Sequence, residues 1–124
     1  MNAFDLPIYR EYFATFLSLI KKLDDLKQQS NNHKKLIDSA YSHAIEIFPN
    51  LNAGYNYWSM KGKLQIYNKV RISLSQLQVE LSILKDLQII KDDENDIIEA
   101  SIKYMNGLIR KLEQPDNNYN KNSK

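Results

Sequence analysis

Residues 47–58 read IFPNLNAGYNYW, and their reading decides how the chain is divided. They hold Pro49 and Gly54, one each of only three prolines and three glycines. They also hold the single tryptophan, Trp58, and two of the eight tyrosines, Tyr55 and Tyr57. The sequence on either side repeats its apolar residues at helical spacing, so residues 47–58 join two helical halves.

Upstream, Leu36/Ile37, Ala40/Tyr41, Ala44/Ile45, Ile47/Phe48 and Leu51 form one helical stripe opening near Asn32. The stripe runs through Pro49, which lacks an N–H and whose ring opposes the carbonyl of Ile45. The helix either stops at Phe48, or continues with a kink to about Ala53 and ends on Gly54 as a left-handed cap. Leu51 keeps the phase and favours the kinked ending. Residues 55–61 then form a connection in which Ser59 is a candidate N-cap. Tyr55, Tyr57 and Trp58 cannot all bury themselves in so short a turn. They pack on another element, line a subunit interface, or stay free for a ligand.

Further out, residues 6–29 read as a first helix with Asp5 as N-cap, Pro7 in its first turn and a broad apolar stripe from Ile8 to Leu26. Residues 60–88 carry the longest pattern: Leu64, Tyr67, Val70, Leu74, Leu77, Leu81, Leu84 and Leu87. Ile66, Val79 and Ile83 widen it towards a second neighbour. Residues 92–96, DDEND, give a cap and an acidic first turn to a fourth helix that includes Ile97, Ile98, Ile102, Met105, Leu108, Ile109 and Leu112. Gly107 inside it predicts a close helix approach. The expected fold is all-α: an antiparallel up-down-up-down four-helix bundle over residues 1–114, with a disordered polar tail over 115–124.

A chain of 124 residues is one domain on size. It has no cysteine, hence no disulfide or thiolate chemistry. No apolar run spans a bilayer, and the acidic start lacks the basic region of a secretory leader, so a soluble cytoplasmic protein is expected. The net charge is only +2, but it is uneven. Residues 31–71 hold six Lys/Arg (Lys34, Lys35, Lys61, Lys63, Lys69, Arg71) against Asp38 and Glu46, which makes these six the candidate nucleic-acid-binding cations. Residues 72–99 hold two lysines against seven acids.

Catalytic patterns are missing. His43 and Glu46 share a helix face, but bundle di-metal sites need Glu-x-x-His on two helices with further glutamates. Gly54, Gly62 and Gly107 form no phosphate loop, and there is no nucleophile elbow. No enzyme, metal or cofactor is therefore expected. Binding is the stronger reading. Tyr55, Tyr57 and Trp58 stand beside Lys61 and Lys63, with Lys69 and Arg71 further along; aromatics stack on unpaired bases while cations hold phosphates. The competing use of the same aromatics is to cover the bundle end or fill a subunit interface.

The chain also resembles a known group. Pro49, Asn50, Gly54 and Tyr55 match the segment ending helix two in the small four-helix-bundle proteins encoded within 23S rRNA intervening sequences, with Ala53 where those proteins have glutamate. Ser73, Leu74, Leu77 and Leu81 match their helix three, with Gln76 for a second glutamate. The stretch DLQIIKDDE at 86–94 and MNGLIRKL at 105–112 resemble both that group and its relatives, the accessory variability proteins of diversity-generating retroelements. The two lost acids, and the lack of a helix-one tryptophan, tilt the resemblance towards the latter. It implies a non-enzymatic homopentamer that binds RNA or DNA and a reverse transcriptase. The alternatives are an intervening-sequence protein with an RNA-related role and a purely structural interaction bundle.

Overall fold

The computed structural model describes residues 5–29 and 32–114; the expected tail at 115–124 lies outside them. They form four helices: α1 (Pro7–Lys27), α2 (Lys34–Tyr55), α3 (Met60–Asp86) and α4 (Asn95–Leu112). Each packs on its neighbours in sequence, and α1 meets α4 to close the ring. Of the four interfaces that close the ring, α2–α3 is the most extensive and α1–α4 the slightest. This is the antiparallel four-helix bundle that the periodicity predicts.

The core is built from the helical stripes. Ile37, Ala40, Ala44, Ile47 and Leu51 of α2 face Tyr67, Val70, Leu74, Leu77, Leu81 and Leu84 of α3, all of them buried. Each large aliphatic among them contributes ~1.5–3 kcal/mol by leaving water. At one end Phe48 is ringed by Tyr9, Phe13 and Phe16, with centroids 4.6, 4.8 and 5.3 Å away. The Tyr9 hydroxyl donates to the Phe48 carbonyl at 3.1 Å, so its buried polar end is satisfied. Polar ties link α3 to both flanking helices. His43 Nδ1 meets Glu80 Oε1 at 2.7 Å, and the Ser39 hydroxyl donates to the other carboxylate oxygen. On the opposite side Gln78 Nε2 donates to Glu99 Oε2 at 2.6 Å and to Asn95 Oδ1 at 3.1 Å.

The helix ends correct four expectations. Gly54 does not cap α2: no glycine has positive φ, the helix continues to Tyr55, and Asn56 at φ −94° is the C-cap. Gly54 is needed for closeness instead, because a Cβ there would lie 2.6 Å from the Tyr67 ring. The helix carries Pro49 because Pro49 and Ile45 both lie on its exposed face, where water can take up the freed carbonyl. The N-cap of α1 is Leu6, not Asp5, with Pro7 in the first turn. Gly107 meets no atom within 4 Å of a would-be Cβ, so it marks no close approach. Finally, α3 stops at Asp86, two residues short of the expected end at residue 88. Gln88 turns left-handed at φ 63°, Ile89 N–H donates to Leu84 O at 2.9 Å and Gln88 N–H to Lys85 O at 2.9 Å, a Schellman closure. Ser59 does cap α3, accepting from Gly62 N–H at 3.1 Å. At the start of α4, Asp92 and Asp93 accept from Glu94 and Asn95 N–H.

Candidate nucleic-acid interface

The α2–α3 turn places its aromatics by burial of one and exposure of the next. Tyr55 ends α2 and packs half-buried against the core. Below it, Tyr67 is almost fully buried, and burial pushes its hydroxyl up to about 12, with Tyr104 and Tyr55 adding to the effect. Tyr57 lies over the first turn of α3, seated where a Cβ on Gly62 would stand, 1.9 Å from its ring. Trp58 stacks on Tyr57 at 6.0 Å between centroids and 22° between planes. The rest of the indole faces outward: Trp58 is 88% exposed. A flat aromatic step therefore stands off the bundle end, held by Tyr57 and uncovered by any described residue.

Charge follows α3 away from this step. Lys61 is exposed in its first turn, which contains no acid. Two lysines at a helix N-terminus oppose the helix dipole, a local cost with no packing reward for Lys61. Lys63 is part-buried and committed: its Nζ donates to the Tyr55 carbonyl at 3.0 Å and sits 5.7 Å from the Tyr55 ring centre. It ties the last turn of α2 to the first of α3. Arg71 Nη2 donates to Asn68 Oδ1 at 2.9 Å. Arg71 also lines two adjoining hollows of about 330 Å³ each between α3 and α4. Asn106 lines both, and Arg110 and Glu113 line the outer one.

The six predicted cations therefore do not form one patch. Lys61 and Lys63 stand at the aromatic end, and Arg71 lies further along α3 in the hollows between α3 and α4. Lys69 is exposed on the opposite flank of α3, two residues and some 200° of helix rotation from Arg71. Lys34 and Lys35 open α2, about 30 Å away along its axis. Arg110 and Asn106 also line these hollows, and sequence alone does not mark them as binding residues, because Arg110 reads equally well as a dipole partner at the end of α4. The antiparallel topology would have found them, since it sets the last turns of α4 beside the first of α3.

His43, the one histidine with a candidate metal partner, is paired with Glu80 instead. Among the described residues no group of three or more His, Cys, Asp or Glu could hold a metal ion, and no helix is long and apolar enough to cross a membrane. Compared with known protein families, with curated proteins and with solved structures, the chain matches none.

Proposed function

We propose that this chain is a non-enzymatic accessory protein that binds single-stranded nucleic acid at the α2–α3 end of its bundle. The observation that carries the reading is Trp58, uncovered and stacked on Tyr57 beside Lys61. An exposed indole offers a base a π-face whatever its sequence, and such a stack is worth ~1–3 kcal/mol. The hollows lined by Arg71, Asn106 and Arg110 lie further along α3 and offer cations to phosphates of a strand whose base stacks on Trp58. The likeness to accessory variability proteins supplies the wider role: support of a reverse transcriptase in a diversity-generating retroelement. In that role the protein holds RNA or DNA for the polymerase and performs no chemistry. A gene for a reverse transcriptase beside a template repeat would accompany this one; an rRNA insertion around it would favour the intervening-sequence relatives instead.

Fluorescence anisotropy with a labelled single-stranded oligonucleotide tests the binding. Trp58→Ala should weaken it about tenfold, within the range of one base stack. Arg71→Ala and Arg110→Ala should each weaken it and flatten its salt dependence by about one released counterion. Lys34→Ala, at the far end, should leave it unchanged. Equal losses at Lys34 and Arg110 would point to diffuse electrostatic attraction and against this site.

A further inference from the structure

The two hollows between α3 and α4 differ in chemistry. Arg71 and Asn106 are common to both. The inner one adds Ile72, Ser75 and Gln76 from α3 and Ile102 from α4. It therefore joins aliphatic walls to two carboxamides, one from each helix. Neither the Gln76 nor the Asn106 amide bonds to another described residue, whereas the Asn68, Gln78 and Asn95 amides on the same two helices are engaged. Unpaired amides between apolar walls suit a flat ring with polar edges. The outer hollow is the charged one, where Arg110 and Glu113 join Arg71. Among the described residues neither arginine is paired with a carboxylate. Two guanidinium groups against one carboxylate leave a single positive charge. That balance matches one phosphodiester of a strand better than the multiple charge of a free nucleotide.

We infer that the adjoining hollows hold one adenine nucleotide of the bound strand, its base in the inner hollow and its phosphate in the outer, an inference that rests on the strand-binding reading above. A carboxamide pairs with a donor set next to an acceptor. Adenine alone presents that pair on two edges, N6–H with N1 and N6–H with N7, so the amides of the two helices can take one edge each. The N7 edge of guanine offers only acceptors and suits an arginine, but Arg71 is held by Asn68 and shared with the phosphate hollow. Pyrimidines have a single such edge. The hollows thus add base selectivity to the sequence-blind stack on Trp58. Eleven helix residues, about 17 Å, separate Met60 from Arg71, so the adenine lies a few nucleotides from the stacked base.

Fluorescence anisotropy of the full chain with short labelled uridine strands tests the subsite. One adenosine, moved position by position along the strand, should tighten binding about tenfold at one or two neighbouring positions. Cytidine or guanosine there should not. Gln76→Ala and Asn106→Ala should each bring the ratio of adenosine to uridine affinity close to one, with helical circular dichroism unchanged. Trp58→Ala should weaken every strand and keep the ratio, which separates the reading of the base from the stack. Adenosine monophosphate should compete far more weakly than the adenosine-containing strand. Equal affinity for all four bases, or a preference that survives both amide variants, would overturn the adenine subsite and leave strand binding standing. Competition by adenosine monophosphate as effective as by the strand would assign the hollows to a free nucleotide and overturn their place on a strand. Failure of every strand to bind would sink this inference and the strand-binding reading together.

Discussion

Three glycines in helices have three different physical meanings, and alanine separates them. At Gly54 an added Cβ would strike the ring of Tyr67, which is buried and cannot yield. Overpacking of this kind costs ~1–3 kcal/mol, and the better helix propensity of alanine returns about 1 kcal/mol at most. Gly54→Ala should therefore lower the urea midpoint by an amount equivalent to up to about 2 kcal/mol with the slope unchanged. At Gly62 the clash is with Tyr57, a loop side chain that can swing away. Gly62→Ala should keep the melting temperature while dismantling the Tyr57–Trp58 stack and weakening base binding. At Gly107 there is open space, and Gly107→Ala should stabilise the protein by about 1 kcal/mol through propensity alone. Tyr67 also titrates in a telling way. Its folded pKa lies near 12 against an ordinary 10 because burial disfavours the phenolate. The unfolded chain thus loses its proton first as pH rises. Stability linked to Tyr67 is complete below pH 10 and declines between 10 and about 12, which urea titrations across that range would follow.

At the scale of the elements, the stripes of α1 to α4 and their connections were legible because burial on one face imposes a period of 3–4 residues. The helix ends were less so. Gly54 looks like a left-handed cap in sequence, but its missing Cβ is explained by Tyr67, 13 residues along the chain, and only packing reveals that. The left-handed residue that ends α3 is Gln88, a side chain that carries no turn signal. A glycine at that position relieves the strain of positive φ, so Gln88→Gly should raise stability by up to about 1 kcal/mol in the same urea assay. Pro49 lies inside α2, as the apolar phase kept by Leu51 beyond it predicts.

At the scale of the whole molecule, the aromatic end was legible and the charge map was not. Three aromatics in one short connection exceed what a turn can bury, and Trp58 is indeed uncovered. A cluster of six cations in sequence, by contrast, is divided among two ends and two flanks of the bundle. Helix geometry spreads neighbours in sequence around the axis, and the antiparallel fold brings Arg110 to Arg71 across about forty residues. The near-neutral total charge fits a site that depends on one stack and a few placed cations more than on a broad field. Because Trp58 is the only tryptophan, its emission reports that site alone. A single-stranded oligonucleotide added at low salt should quench Trp58 emission saturably, with an affinity that falls as salt rises. Emission unchanged through the full titration, at concentrations where anisotropy detects binding, would contradict it.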